Sequence, residues 1–419
     1  MALNRRAVAA WCFYDWANSA FPTIIVTFVF SRYFTEGVAD DPNDGAVAWN
    51  TMMALVGIPV AILAPILGAI ADNTGRRKPW LGLFTVATAL LTLLLWPVKP
   101  EAEWMGWALA VVLLASLAFE FGQVFYNAML PTVAPEAMLG RVSGWGWGLG
   151  YLGGLFALVA ALFGLIQGGF LPTEQAENVR AVAILVPVWY LLFSLPLFLF
   201  VPDAPPTGVP MGLAVRRGLG ALLATLRQIR HYREIAKFLV ARALFSDGLN
   251  TLFANGAIFA AYAFGLDAQQ AIIFGIAINV TSGLGAIGFA WIDDWIGPKR
   301  TILLSLLGLM ATGLGLLVVR DVAWFWPLGL ALGIFVGPAQ AASRTLLAHM
   351  APRGMENEMF GLFALSGRAV AFIGPALYAL ATALYDSQRA GMTMVLLLFV
   401  LGFVGMLFVR PVRAEPVHG

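Results

Sequence analysis

Two aspartates stand in matching surroundings inside apolar stretches of this chain. Asp15 and Asp247 each follow a phenylalanine by two residues and precede an asparagine by three, Asn18 and Asn250. A carboxylate at the centre of a membrane-spanning helix costs roughly 2.5–3.5 kcal/mol, so it is expected to bind a proton, a charged solute or a neighbouring charge. Either these pairs contact a proton or substrate, or they tie the first helix of each half to its bundle. The duplication favours a structural or gating role, because a transported molecule rarely needs two identical contacts.

A second set of polar residues follows one face of the fourth apolar stretch. Glu120, Gln123 and Asn127 are spaced by three and four residues, which places them on one side of a helix. Gln340 and Arg344 repeat the spacing of Gln123 and Asn127. Such a stripe must face protein or water rather than lipid. We expect it to line a central cavity, with Glu120 as its strongest member; alternatively, these groups lock neighbouring helices together.

Arginines inside the apolar stretches supply the countercharges. Arg344 and Arg368 stay charged in any protein environment, so each needs an acid or an anionic ligand. Either could hold a substrate carboxylate, and either could neutralise Glu120 or one of the two aspartates. Arg242 lies nearer one membrane face, and its side chain is expected to reach the interface.

A short turn near residue 72 carries a glycine, an acid and a basic cluster. Its marked residues are Gly68, Asp72, Gly75, Arg76 and Arg77. The second half of the chain has a matching turn that contains Asp294 and Gly297. We expect Gly68 to allow close helix contact and Asp72 to accept hydrogen bonds from a neighbouring helix end. The alternative is a plain basic turn that follows the positive-inside rule.

The amino-acid composition shows what kind of environment surrounds these residues. Of the 419 residues, 60% are hydrophobic and 11% are charged, against about 25% charged in a soluble domain. The chain is therefore a multi-pass membrane protein. Its net charge of +2 gives no indication of nucleic-acid binding, and its one cysteine cannot form an intrachain disulfide. No catalytic constellation, cofactor motif or metal site is expected.

Twelve stretches are long and apolar enough for spanning helices, which need about 20 residues each. They cover 11–34, 49–71, 80–98, 104–130, 144–167, 180–201, 236–265, 268–291, 300–319, 322–350, 361–384 and 391–409. The sequence thus predicts an all-α membrane protein with two pseudo-symmetric six-helix bundles, at 1–201 and 236–419. A basic linker at 202–235 joins them, and a short cytoplasmic tail follows the second bundle.

Orientation follows from the basic residues. Seventeen of the 25 Lys and Arg residues fall on the side of the N-terminus, five on the opposite side and three within spans. The positive-inside rule then places both termini in the cytoplasm.

The turn at Gly68–Lys78 resembles the signature loop of the major facilitator superfamily, although Asn73 stands where that superfamily usually has a basic residue. Five further stretches resemble those of one branch of this superfamily: Tyr14–Ser19, Phe125–Pro131, Gly140–Gly144, Asp247–Asn250 and Phe360–Arg368. That branch contains bacterial "unknown major facilitator" proteins and fungal autophagy-related vacuolar effluxers of amino acids. The resemblance implies the twelve-helix fold, a loop that braces the two halves, and transport of a small solute.

The function expected from the sequence is secondary active transport by alternating access. The first candidate solute is an amino acid, coupling to protons is expected, and the chain would act as a monomer in a bacterial inner membrane. A uniporter or exporter of a lipid-like or amphiphilic solute is one alternative, suggested by 14 Trp and 30 Phe residues. A membrane sensor or scaffold that does not transport is the other.

Overall fold

Helices build the part of the chain that the structure describes. The computed structural model describes residues 4–228, 230–413 and 415, so the last four residues of the predicted tail lie outside it. The first half contains α1 Arg5–Asn18, α2 Phe30–Tyr33, α3 Pro42–Thr74, α4 Lys78–Leu93, α5 Met105–Ala128, α6 Leu130–Val133, α7 Leu139–Val159, α8 Glu177–Arg180 and α9 Val182–Phe200. A linker helix follows, α10 Met211–Arg227. The second half contains α11 Arg233–Phe264, α12 Ala268–Ile296, α13 Pro298–Val318, α14 Val322–Met350, α15 Glu356–Ala369, α16 Ile373–Tyr385 and α17 Gln388–Leu407.

The predicted all-helical, twelve-span architecture is confirmed. Nine helical stretches of the described chain are long and apolar enough to cross a membrane. The other three spans are α1 with the π-helical segment Phe21–Phe28, the 16-residue α4, and α11. We call the end of the bundle at which α1 begins and α17 ends the terminal face.

Several predicted spans differ in detail from the structure, the third and the eleventh among them. The third was expected to run to residue 98, but α4 ends at Leu93 and turns follow it. The eleventh is divided into α15 and α16 by a break between Ala369 and Ile373. Pro375 lacks the backbone N–H that would continue the helical ladder back across this break. The break leaves the N–H of Gly374, in the first turn of α16, to bond outside the helix.

Two glycines end spanning helices in the predicted turns. Gly75 follows α3 with a φ of 80°, and Gly297 follows α12 with a φ of 89°. Residues with a Cβ rarely adopt this conformation, so glycine suits both positions. The two turns that the sequence paired therefore share a backbone feature as well as an aspartate.

The two halves of the described chain meet mainly along two interfaces, where α3 packs on α15 and α7 packs on α12. A Cβ on Gly361 would lie 2.5 Å from the carbonyl oxygen of Ala64, and one on Gly144 would lie 2.6 Å from that of Ala286. These contacts are repeat counterparts, because 361 − 144 is 217 and 286 − 64 is 222, the offsets of the sequence repeats. Small residues thus bring the helix backbones together in both interfaces.

We predict that Gly361→Ala destabilises the observed arrangement of the halves by about 1–3 kcal/mol, because the added methyl group overpacks the contact with Ala64. Thermal unfolding of the purified protein would show this as a lower Tm. Gly288→Ala is the matched control, since Gly288 lies in α12 with open space around it. Equal Tm values for the two variants would contradict the packing argument.

Candidate functional site

Asp72 connects the first half to the start of a helix in the second. Its carboxylate accepts hydrogen bonds from the backbone N–H groups of Asn357 (3.2 Å) and Glu358 (2.8 Å), and from the Asn357 side-chain amide (2.7 Å). These N–H groups belong to the first turn of α15, where a helix leaves donors unpaired and carries partial positive charge. Asp72 therefore supplies hydrogen-bond acceptors to the first turn of a helix in the opposite half.

Asp294, in the second half, makes the equivalent contact with the start of a helix in the first half. Its carboxylate accepts from the N–H groups of Gly140 (2.9 Å) and Arg141 (3.3 Å), in the first turn of α7, and from the Arg141 guanidinium (2.5 Å). The two carboxylates and the two helix starts are related by the sequence repeat. We call these contacts the Asp72 anchor and the Asp294 anchor. Both lie at the terminal face.

Of the remaining residues of the predicted turn, some contact the other half and others lie on the surface. Arg77 is buried and donates to Glu356 (2.9 Å) of the other half and to the Ala128 carbonyl (2.8 Å). Arg76 is exposed. A Cβ on Gly68 would lie 2.2 Å from the backbone oxygen of Asn357, so this glycine permits the approach that the Asp72 anchor requires.

Deeper in the bundle, Arg344 carries the positive charge of a buried ion pair between the halves. Its guanidinium donates to Asp15 (3.1 Å) and Asn127 (3.2 Å), and to the Ser143 hydroxyl (2.9 Å) and carbonyl (2.7 Å). The Arg344 side chain is 3% exposed. Arg344 was expected to face a cavity, but in this conformation it is enclosed by protein.

Aromatic rings of the first half surround this guanidinium. The Arg344 Cζ lies 4.7 Å from the ring centre of Trp11, 5.7 Å from that of Tyr126 and 5.8 Å from that of Trp147. Rings at these distances stabilise a cation while excluding water. These three residues were not among the candidates expected from the sequence. Tyr126 lies within a stretch that carried the family resemblance, which was the available signal.

Asp247 has a different role from its repeat counterpart. One carboxylate oxygen accepts from the N–H of Gly374 (2.6 Å), in the first turn of α16. The other oxygen has no hydrogen-bond partner within the described part of the chain. Asn18 is buried and lies 3.5 Å from the Asp15 carboxylate, whereas Asn250 is exposed. The two predicted carboxylate pairs are therefore not equivalent: Asp15 joins the halves, and Asp247 holds the broken helix of its own half.

Glu120 and Arg368 form a second ion pair between the halves, and it is accessible. The Glu120 carboxylate on α5 accepts from the Arg368 guanidinium on α15. Their side chains are 20% and 29% exposed, against 12% for Asp15 and 3% for Arg344. Of the two predicted arginines, Arg368 is the one that solvent or a solute can reach.

Arg242 adds a second cation near this pair. It donates to the Phe363 carbonyl (3.0 Å) and to the Ser366 hydroxyl (3.2 Å), and it interacts electrostatically with Glu120. The expectation that its side chain reaches the membrane interface is wrong, because these contacts hold it inside the bundle. Two arginines thus share one glutamate.

Two amides of the predicted stripe, Gln123 and Gln340, lie on the helices that carry Glu120 and Arg344. Gln340 accepts from the Tyr151 hydroxyl (2.9 Å), which links α14 to α7. Gln123 is half-buried on α5, between Glu120 and Asn127. The stripe therefore extends from the accessible pair at Glu120 to the enclosed pair at Arg344.

The chain matches the model of a family described as "Vacuole effluxer Atg22 like" over residues 50–416. An uncharacterized MFS-type transporter of Bacillus subtilis, YxiO, is 26% identical over 405 residues, which is 96% of this chain and 94% of that protein. Autophagy-related protein 22-1 of Neosartorya fischeri is 25% identical over 310 residues, which is 68% of this chain and 50% of that protein. The chain thus spans about half the length of this fungal relative.

Solved structures share the architecture. The transporter FucP in its outward conformation superposes with a TM-score of 0.72 at 15% identity, over 97% of this chain and 99% of FucP. The human organic anion transporter MFSD10 gives a TM-score of 0.71 at 16% identity, over 97% of this chain and 100% of that protein. These similarities show the twelve-helix major facilitator fold.

We predict unequal effects for the two matched aspartates. Asp15→Asn leaves the buried Arg344 charge without its acid partner, a loss of about 3–5 kcal/mol. Asp247→Asn costs less than about 1 kcal/mol, because an asparagine oxygen also accepts from a helix N-terminus. Denaturation of the two purified variants measures the difference. Equal losses would show that the aspartates are structurally equivalent.

We also predict that Asp294→Ala opens the terminal face. Losing hydrogen bonds to a charged group costs about 1.5–3 kcal/mol, which shifts a two-state equilibrium about tenfold or more. The reporter is Ala342→Cys in a Cys12→Ala background, because Ala342 is 1% exposed and lies beside Gly140. Its thiol should react with a water-soluble maleimide correspondingly faster.

Asp321→Ala is the matched control for the Asp294 experiment. Asp321 accepts from the Ala323 N–H at the start of its own helix, α14, so its loss removes a helix cap without breaking a contact between halves. Equal labelling rates in the two variants would contradict the role of the Asp294 anchor.

Proposed function

We propose a solute for this chain from one premise: it belongs to the vacuole effluxer Atg22-like family and is a transporter of the major facilitator superfamily, not an enzyme. The proposed activity is secondary active transport of a small zwitterionic solute, an amino acid first, by alternating access. The direction is efflux, as the family's description suggests. The observation that carries the proposal is the accessible Glu120–Arg368 pair.

An amino acid matches this pair because it presents both complementary charges on neighbouring atoms. Its ammonium group would replace Arg368 at the Glu120 carboxylate, and its carboxylate would replace Glu120 at the Arg368 guanidinium. Arg368 offers a planar fork suited to a carboxylate. Arg242 adds positive charge beside the site, which favours a solute that brings a carboxylate. Without solute, the two side chains satisfy each other.

Solute binding at this pair bears directly on the contact between the halves, because Glu120 and Arg368 lie on opposite sides of it. When the solute separates the pair, one of the attractions that hold the halves together is exchanged for contacts to the solute. The Arg344–Asp15 pair and the two anchors at the terminal face then remain as polar contacts to be broken before the bundles rock. A ligand drives such a change only through its different affinity for the two states.

We further propose that protons drive the transport through Glu120. This carboxylate is partly accessible, so it can exchange a proton with water, whereas Asp15 is held in a buried pair. Protonated Glu120 no longer offers a negative charge to Arg368 or to a solute ammonium group. Proton binding and solute binding at Glu120 would therefore be linked.

The arrangement in the membrane is also part of the proposal. The 17 to 5 distribution of basic residues favours a cytoplasmic terminal face, and we place the chain in a bacterial inner membrane as a monomer. We divide it into an N-terminal bundle at 1–201, a cytoplasmic linker at 202–235 and a C-terminal bundle from 236.

The test is counterflow of labelled amino acids in proteoliposomes, with and without an imposed pH gradient. Glu120→Gln should reduce flux at least about tenfold, because it removes a charged hydrogen-bond partner worth about 1.5–3 kcal/mol. It should also abolish the response to the gradient. Arg368→Lys keeps the charge but loses the planar fork, so intermediate flux is expected.

Glu103→Gln is the control, since Glu103 stands in a short helical turn before α5, away from the pair. Unchanged flux and gradient response in Glu120→Gln would overturn the proposed site. Translocation of a labelled lipid with no amino-acid counterflow would favour a lipid-like solute. A stable protein with no saturable flux of any solute would support the non-transporting sensor.

A further inference from the structure

The linker helix α10 carries a charge pattern that transport does not explain. Residues 211–233 contain five arginines and no acidic residue. All five side chains are exposed: Arg216, Arg217, Arg227, Arg230 and Arg233. Only Arg233 forms an ion pair among the described residues, with Glu234 at 3.5 Å. This segment therefore presents an unbalanced positive surface.

One face of α10 fixes the helix to the bundle. Ala214, Gly218, Leu222 and Thr225 are buried, at the spacing of a single helical face. A Cβ on Gly218 would lie 2.8 Å from the backbone nitrogen of Ile70, so the α10 backbone closely approaches α3. Ile70 is four residues before the end of α3, or about 6 Å along its axis. The helix α10 thus lies level with the last turn of a spanning helix.

A second face of α10 is apolar and uncovered. Leu219, Leu223 and Leu226 are 40%, 53% and 48% exposed, and their spacing of four and three residues aligns them in one stripe. A third face is basic, because Arg216 and Arg227 are eleven residues apart and fall on the same side, with Arg217 beside them. An exposed apolar face next to a basic face is typical of a helix lying in a membrane interface.

We propose that α10 lies in the plane of the membrane surface, with its leucine stripe among the acyl chains and its arginines bound to anionic phospholipid headgroups. Two observations favour lipid over a protein partner. The level of α10 against the last turn of α3 places the leucine stripe beside the bilayer, and the positive charge complements anionic headgroups. An arginine near such a surface strengthens attraction roughly fivefold.

Lipid binding at α10 would act on the terminal face through the chain that precedes the helix. The Thr207 hydroxyl donates to the Asn73 carbonyl (2.6 Å), and the Thr207 N–H donates to the Thr74 carbonyl (3.2 Å). Asn73 directly follows Asp72. Anionic lipid held by α10 therefore steadies the end of α3 and favours the closed Asp72 anchor.

The placement of the leucine stripe can be measured by single-cysteine fluorescence, because Cys12 is the only cysteine and is buried. In a Cys12→Ala background, Leu223→Cys places a polarity-sensitive fluorophore on the apolar stripe and Gly220→Cys places one on the basic face. In nanodiscs, the label at 223 should emit at shorter wavelength than the label at 220. Equal, water-like emission at both positions would overturn membrane insertion and leave a protein partner as the explanation.

The lipid preference is tested by the same label at 223 during titration of phosphatidylglycerol into phosphatidylcholine nanodiscs. The double variant Arg216→Gln/Arg217→Gln should require roughly 25-fold more anionic lipid for the same response, from two fivefold losses. Arg320→Gln removes one exposed arginine from the opposite face and should leave the titration unchanged. An unchanged titration in the double variant would overturn the headgroup assignment. Neither measurement requires a transported solute.

Discussion

The contact between a carboxylate and the unpaired N–H groups at the start of a helix governs how the two halves of this transporter fit together. A helix that begins at a buried interface needs acceptors for its first N–H groups, and water is excluded there. Asp72 supplies an acceptor to α15, and Asp294 supplies one to α7. Each half thus completes a helix of the other. The anchors also set the register in which the small residues at Gly144 and Gly361 can pack.

The arginines of the two ion pairs do not follow the sequence repeat. One pair is enclosed by protein and the other is accessible. Arg344 occupies the repeat position of Asn127, and Arg368 occupies that of Tyr151, since 344 − 127 and 368 − 151 are both 217. In these two pairs the second half supplies the cations and the first half supplies Asp15 and Glu120. Opposite charges on opposite halves hold one conformation together while leaving each half with unbalanced charge once they separate.

The sequence predicted the repeated parts of the structure better than the unique ones. The twelve spans, the paired turns and the helix-end contact expected for Asp72 follow from hydropathy and from spacings that recur in both halves. The partner of Arg344 could not be chosen among three acids, because the choice depends on which helices meet across the interface. The contacts of Trp11 and Trp147 with Arg344 could not be predicted, because nothing in the sequence distinguishes these two rings from the many other aromatic residues. The break before α16 was missed because an internal proline is compatible with a continuous membrane helix, and the Asp247 contact depends on that break.

Charged contacts suit an interface that must also open. A buried ion pair gains little net stability, because removing both charges from water costs about as much as their attraction returns. In the proposed alternating access, separation of the halves would let water reach Asp15 and Arg344 and restore their hydration, so the opening would cost less than the number of contacts suggests. An apolar interface of equal area would lose its burial on opening without such compensation. The Arg344 pair thus selects one alignment of the halves without making that alignment permanent, which is what two conformations of similar free energy require.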